Sequence, residues 1–255
     1  MSSTVLVCLI QATFFSFVNS QNLRFQAIST AVQTAQADKS IQALVLQSAK
    51  PSVFSAGLDL TELHKPDETR LRQFWHSFQQ CYLDLYGSRL ACIAAIEGSA
   101  PAAGCMLALS CDYRIMAATT ESYKPSIGLN ESRLGIVAPP FLARQFIDTL
   151  GKRQAELGLS LGTLYSAEDA LRIGLVDQVV PADQVRATAQ QAAVEWAKIP
   201  SVARVASKML IRRPASEVLQ QTRQEDTDDF VRFITSDAAQ KGLSAYLEMM
   251  AKRRK

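Results

Sequence analysis

Histidine is scarce in this sequence, which has only His64 and His76 among its 255 residues. A catalytic metal held by three histidines is therefore excluded. The five cysteines are odd in number and include no Cys-x-x-Cys pair, which argues against a disulfide framework and against a cysteine zinc site. The sequence thus indicates a reducing compartment, and any catalysis would depend on carboxylates or backbone groups.

The sequence also lacks a strong net charge. Its 27 Lys and Arg residues against 24 Asp and Glu residues give a formal charge of +3. Such a mild excess requires neither a nucleic acid nor a membrane surface as a partner, and we predict neither. With 48% hydrophobic residues, the chain can bury a sizeable core. We expect one large domain, or one domain with an appendage.

The N-terminal segment has no charged side chain before Arg24 and no long unbroken hydrophobic run. Its apolar stretches, 5–10 and 14–18, are separated by polar residues, which does not suit a transmembrane helix. A secretory signal would require a positively charged start, which is missing. We assign residues 1–18 to a buried first strand or a disordered leader. A targeting segment is the alternative. A secreted protein is the least favoured interpretation.

Hydrophobic periodicity along the chain predicts alternating helices and strands. The pattern predicts helices over 23–35, 71–85 and 106–110, strands over 41–46, 91–96 and 113–117, and a strand-like piece over 174–181. Strand, small-residue turn, helix and strand is the order found in a mostly parallel α/β sheet with crossover helices. From residue 183 to the end, the pattern is helical.

Two loops of small residues are candidates for binding a negative charge. Residues 54–60 and 99–105 each lie between a strand and a helix, where backbone N–H groups without partners point outward. Taken alone, each loop is explained better by Gly57 or Gly104 allowing a tight turn. Neither loop matches the glycine motifs that hold nucleotide phosphates.

Glu131 is the candidate acid or base. It stands among apolar and glycine positions in 127–136, in a context typical of a loop. Apolar surroundings raise the pKa of a carboxyl group toward the range that suits proton transfer. The alternative is that Glu131 caps a helix or pairs with Arg133, and the residues alone leave both interpretations open.

Five segments together resemble the enoyl-CoA hydratase/isomerase (crotonase) superfamily. In chain order they are 54–60, 98–105, 111–115, 127–131 and 174–180. The resemblance extends from about Asn19 to Glu248, and within the family it is greatest to the Δ3,Δ2-enoyl-CoA isomerases of mitochondria. Five motifs in the right order are far more specific than any one of them.

The resemblance implies an α/β fold in which ββα turns form a spiral and the C-terminal region is helical. Residues 19–195 would form the spiral core, and residues 196–255 would form a helical region for trimerisation. We expect a homotrimer or a dimer of trimers. The family needs no metal or other cofactor, since coenzyme A is part of the substrate.

The resemblance also assigns roles to residues of the site. The thioester carbonyl would lie between the backbone N–H groups of Leu58 and Ala103, and Glu131 would be the single catalytic carboxylate. Asn130 would contact the substrate. The acyl-CoA would further be lined by Ala56, Gly57, Leu58, Asp59 and Leu60. The implied activity moves the double bond of a 3-enoyl-CoA to the 2-trans position during fatty acid β-oxidation.

The sequence departs from the family pattern at several points. Met106 occupies the position at which hydratases carry a second glutamate, so hydration, the alternative within this fold, should be poor. Ala103 replaces a glycine, and the stretch 117–125 is a few residues longer than its counterpart. Because of Ala103 and the unusual N-terminal leader, a non-catalytic acyl-CoA-binding subunit is a second alternative. The resemblance favours the mitochondrial matrix, with the peroxisome as the alternative.

Overall fold

The computed structural model of the chain describes residues 6–12, 21–50 and 52–253. Its strands are β1 Leu6–Ala12, β2 Ile41–Ser48, β3 Ala91–Ile96, β4 Ala100–Pro101, β5 Tyr113–Ala117, β6 Ser126–Gly128, β7 Tyr165–Ser166 and β8 Gln178–Val180. Its α-helices are α1 Gln21–Ala37, α2 Leu60–Leu63, α3 Glu68–Tyr86, α4 Ala103–Ser110, α5 Pro140–Leu150, α6 Lys152–Leu161, α7 Ala167–Arg172, α8 Val185–Ala197, α9 Ser201–Ile234 and α10 Asp237–Arg253. Two short 3₁₀ helices cover Glu131–Leu134 and Ala182–Gln184.

The main sheet has five parallel strands in the order β1-β2-β3-β5-β8. Helices lie between successive strands, as the predicted α/β order requires. A second, smaller sheet contains β4, β6 and β7, with β4 parallel and β7 antiparallel to β6. The sequence pattern did not predict this second sheet, because its strands are only two or three residues long.

Both faces of the main sheet are covered, which explains why its strands are continuous apolar runs. On one face, Leu44 and Leu46 of β2 pack into a core shared with α1, α3 and α4. On the other, Ala43 and Val45 join a smaller core that contains Ala189 of α8. The mixture of alanine with larger residues lets α8 lie close against the strands.

The N-terminal segment contains a strand over Leu6–Ala12, and Leu9 of β1 pairs with Val45 of β2. Residues 6–12 thus form a strand at the edge of the main sheet, in which Ile10 is buried and Leu9 is exposed. The apolar stretch 14–18 lies outside the described residues, as do the first five. Within the described part of the chain, no helix is long and apolar enough to cross a membrane.

Several predicted boundaries were confirmed and others were wrong. Strands 91–96 and 113–117 have the predicted limits. The strand predicted over 174–181 is confined to Gln178–Val180, because Gly174 takes a left-handed φ of +79° and Leu175 N–H donates to Ala170 O to close α7. Helix α4 begins at Ala103, three residues earlier than predicted, so its first turn includes part of the small-residue loop.

A buried charge cluster holds the long helix α9 on the sheet. Asp112 accepts from Lys208 Nζ at 2.8 Å and lies 3.0 Å from Arg212 Nη2, and its carboxylate also accepts from Cys92 N–H at 2.7 Å. The Asp112 and Lys208 side chains are 6% and 7% exposed, so they are almost wholly removed from water. The C-terminal helical region is thereby tied to β3 and to the start of β5.

Candidate active site

The two small-residue loops that are far apart in sequence lie side by side in the structure. Phe54 N–H and Ser55 N–H both donate to Ser99 O, at 3.1 and 3.2 Å. Gly98 has no room for a side chain, since a Cβ there would be 2.3 Å from the carbonyl carbon of Ser52. Loop 54–60 and loop 99–105 therefore form one surface.

The glycines in these loops allow a tight turn and also let the two loops approach each other closely. Gly57 has a left-handed φ of +83°, and a Cβ on it would be 3.2 Å from Pro101 O. A Cβ on Gly104 would be 3.0 Å from Ser55 Cβ. The simpler explanation of tight turns is thus correct for Gly57, and it is compatible with a role in bringing the loops together.

The backbone N–H groups of Leu58 and Ala103 have no acceptor in the described part of the chain. Ala103 is the first residue of α4, whose leading N–H groups have no partner within the helix. Before it, Ala102 has φ +50° and ψ −116°, which costs about 1–3 kcal/mol for a residue with a side chain. The bond from Ala102 N–H to Gly128 O, at 2.8 Å, holds this conformation and sets the direction of α4.

Glu131 is buried and its carboxylate is only partly satisfied. It is 7% exposed, and its Oε2 has no hydrogen-bond partner. Burial raises the pKa of Glu131 from 4.5 to about 7. Arg133 does not pair with it, since Arg133 Nε donates instead to Leu161 O at 2.9 Å. Glu131 begins a 3₁₀ helix and does not lie in the predicted loop.

The small sheet brings Glu131 next to the second loop. Strand β6 ends three residues before Glu131, and its Ile127 and Gly128 pair with Ala100 and Pro101 of β4. The Glu131 carboxylate lies close enough to Cys105 on α4 to add to the effect of burial, which raises the pKa of that thiol well above its usual value. Cys105 therefore stays protonated and is no candidate nucleophile.

Other residues from the sequence prediction differ in their surroundings. Asn130 has a buried Oδ1 without a hydrogen-bond partner. Asp59 is exposed, and its carboxylate caps α2 by accepting from Thr61 N–H at 3.0 Å and Thr61 Oγ1 at 2.6 Å. Leu58 and Leu60 are half-buried, and Ala56 is exposed. Their contact with an acyl-CoA stays a prediction.

The sequence analysis did not predict the ion pair between Glu97 and Arg186, which lies next to the start of the second loop. Glu97, 8% exposed, accepts from Arg186 Nε of α8 at 2.7 Å. Arg186 also donates to Ser48 O at the end of β2, and the hydroxyl of Tyr123, in the longer stretch 117–125, donates to Glu97 O. No local signal could have revealed contacts between residues that are 26 to 138 positions apart.

A deeply buried carboxyl group close to a loop with unpartnered backbone N–H groups is suited to moving a proton next to a polarised carbonyl. Met106 on α4 is fully buried and brings no second carboxylate. Among the described residues, no group of three or more His, Cys, Asp or Glu side chains is placed to hold a metal ion. The fold and this site define an α/β protein in which a buried carboxyl group lies beside a pair of small-residue loops.

The chain belongs to the enoyl-CoA hydratase/isomerase family, whose model matches residues 15–254. It is 42% identical over 238 residues to the mitochondrial enoyl-CoA delta isomerase 1 of Rattus norvegicus, covering 93% of this chain and 81% of that protein. The Homo sapiens protein of the same name is 42% identical over 234 residues, covering 91% and 76%. The crystal structure of human mitochondrial delta3-delta2-enoyl-CoA isomerase superposes with a TM-score of 0.92 at 39% identity, covering 98% of this chain and 95% of that one. The predicted family and fold are confirmed.

Proposed function

We propose that this protein is a Δ3,Δ2-enoyl-CoA isomerase, which converts 3-cis or 3-trans enoyl-CoA to the 2-trans isomer in the β-oxidation of unsaturated fatty acids. The observation that carries the proposal is the buried carboxyl group of Glu131, which has an unpartnered Oε2, no ion-pair partner and a pKa of about 7. The identity of 42% to mitochondrial enoyl-CoA delta isomerases supports the same activity.

In the proposed mechanism, Glu131 takes a proton from C2, the carbon between the thioester and the double bond. The C2–H electron pair moves into the conjugated system, and negative charge develops on the thioester oxygen as a dienolate. Glu131 then returns the proton to C4, and the double bond ends between C2 and C3. One carboxyl group acts as base and then as acid, so that the enzyme ends in its starting state.

The N–H groups of Leu58 and Ala103 would stabilise the dienolate oxygen. Donors that are already fixed at the position where charge develops cost no reorganisation during the reaction, and each is worth about 2.7–4 kcal/mol. The van der Waals contact between the two loops and the bonds from residues 54 and 55 to Ser99 O provide this rigidity. Asn130, with its free Oδ1, would orient the substrate.

The direct test is turnover of a medium-chain 3-enoyl-CoA to its 2-trans isomer by the purified protein, with hydration of the 2-enoyl-CoA measured in parallel. We expect isomerisation with little hydration, because Met106 adds no second carboxylate to activate water. Hydration faster than isomerisation would identify a hydratase. Binding of acyl-CoA without turnover would identify a non-catalytic subunit.

The pH profile of kcat/KM reports the ionisation of Glu131 in the free enzyme. Because burial raises the pKa of this group to about 7, we expect kcat/KM to reach half of its plateau near pH 7 and to level off about one pH unit higher. At pH 5 the deprotonated fraction, and with it kcat/KM, should be about 1% of the plateau. A profile that is flat between pH 5 and pH 8 would rule out Glu131 as the base.

The assembly and location are also part of the proposal. We infer that the protein is located in the mitochondrial matrix, since relatives that are 40–42% identical to this chain are named as mitochondrial. We also infer that it forms a trimer or a dimer of trimers. Several large apolar side chains of α9 are exposed in the single chain, which supports burial against other copies. They include Val202, Leu210, Ile211 and Val218.

A further inference from the structure

One glutamine side chain joins the ends of two helices, one of which directly follows the first small-residue loop. Gln240 Nε2 donates to Leu63 O at 2.9 Å and to Ile234 O at 2.7 Å, and Gln240 Oε1 accepts from Lys65 N–H at 2.8 Å. Leu63 is the last residue of α2 and Ile234 is the last residue of α9. Carbonyls at helix ends lack partners within the helix, so Gln240 satisfies two of them at once.

The bond to Lys65 holds a strained turn. Lys65 has a φ of +48°, in the left-handed region that residues with side chains seldom adopt. Such a conformation persists only where its surroundings fix it, and Gln240 Oε1 provides the fixed acceptor. The end of α2 therefore depends on α10.

A second contact strengthens this junction. His64 Nε2 lies 2.9 Å from Ser244 Oγ, one turn further along α10, and Ser244 Oγ donates to Gln240 O at 2.8 Å. Helix α10 is itself anchored, since Ala239 and Leu243 are buried in the core. The position of α2 is thus set by a rigid helix 175 to 180 residues away in sequence.

Helix α10 also packs on the segment that carries Glu131. A Cβ on Gly242 would be 3.3 Å from Leu134 O and 3.5 Å from Gly135 Cα, so the helix lies directly against the end of the 3₁₀ helix. Leu58 precedes α2 by two residues, and Glu131 begins that 3₁₀ helix. One element therefore contacts both the segment that carries an oxyanion donor and the segment that carries the base.

We infer that Gln240 is a positioning residue for the reaction, which acts by holding α2 so that the Leu58 N–H points at the thioester oxygen. Gln240 lies outside the two loops and the Glu131 segment and acts through α2. The inference rests on the proposed isomerase function. A donor that is displaced by a fraction of an ångström loses much of its effect on the transition state.

The test compares Gln240→Met with Gln224→Met. Methionine keeps the length of the side chain and removes all three hydrogen bonds, and Gln224 is an exposed glutamine of α9 whose amide bonds only to Asp228 at 3.2 Å. We expect kcat for isomerisation to fall about tenfold in Gln240→Met with KM changed less than twofold, and no change in Gln224→Met. If Gln240→Met does not fold, Gln240→Glu, which keeps an acceptor for Lys65 N–H, takes its place.

A spectroscopic measurement separates positioning from a purely structural role. Bound cinnamoyl-CoA absorbs at longer wavelength when hydrogen bonds polarise its carbonyl, so this shift should shrink in Gln240→Met. Adding Lys65→Gly, which accepts the left-handed φ without strain, should restore part of the shift and of kcat. Wild-type kcat and an unchanged shift in Gln240→Met would overturn the inference, even if its melting temperature fell. An inactive wild type would instead refute the isomerase function, and the shift would still test Gln240.

Discussion

Glu131→Gln is expected to lower kcat for isomerisation by about 10²–10⁴-fold, while acyl-CoA still binds. Glutamine has nearly the same size and shape as glutamic acid but neither takes nor returns a proton at neutral pH. Because the two loops and Asn130 are unchanged, the affinity for the substrate should be kept. Turnover of 3-enoyl-CoA and binding of an acyl-CoA, measured on the same preparation, check both parts.

The matched control is Glu121→Gln, which removes an exposed carboxylate from the longer stretch 117–125 near the site. This variant should keep kcat and KM, since an exposed carboxylate there has no role in proton transfer. If Glu131→Gln retained activity within a few-fold of wild type, the single-carboxylate mechanism would be wrong.

The same substitution should make the protein more stable at high pH. Glu131 has a pKa of about 7 in the folded chain against an ordinary value of 4.5, so the folded state binds more protons between these values. Wild-type stability therefore falls as the pH rises from about 4.5 to about 7, by a total of about 3 kcal/mol. Glutamine does not titrate, so Glu131→Gln should melt at a higher temperature than wild type at pH 8.

The pH dependence of this difference is the critical measurement. The gap in melting temperature between Glu131→Gln and wild type should narrow toward pH 5, where Glu131 is neutral in the folded state. A difference in melting temperature that did not depend on pH would mean that the pKa of Glu131 is not raised in the folded state. Catalytic groups often lower the stability of a protein, because the reaction requires them to be charged in a buried position where a charge is unfavourable.

Asp112→Asn is expected to have the largest effect on stability. Asp112 is the anion for both Lys208 and Arg212, and all three side chains are at least 87% buried, since their exposures are 6%, 7% and 13%. Asparagine keeps the shape of the side chain but leaves two cations without a buried counter-charge. Breaking a buried pair in this way costs about 3–5 kcal/mol, which chemical denaturation would measure as a loss in the free energy of unfolding.

The control for this prediction is Asp229→Asn, which removes the partner of Arg232 in an exposed pair. Exposed pairs contribute little, so this variant should change the free energy of unfolding by less than about 1 kcal/mol. Equal effects of the two substitutions would show that the cluster around Asp112 does not hold α9 on the sheet.

Local pattern determined the elements that are long or strongly apolar. Strands 91–96 and 113–117 were predicted to the residue because each is a short, mostly apolar run, and α1 and α3 were predicted from their helical spacing. Their order was enough to predict a parallel α/β sheet. The five motifs were enough to identify the family, whose model matches residues 15–254. These properties depend on residues that are close together in the sequence, so the sequence alone is enough to predict them.

Tertiary structure decided everything that depends on distance between remote residues. The pKa of Glu131 follows from burial, and from sequence alone its pairing with Arg133 could not be excluded. The contact between the two loops, the support of Glu97 by Arg186 and the junction at Gln240 all join residues that are dozens of positions apart. Local propensity carries no information on such contacts, because they form only when separate helices and strands dock. The sequence alone therefore determined the kind of fold and the candidate groups, and the docking of α4, α8 and α10 decided the surroundings of those groups.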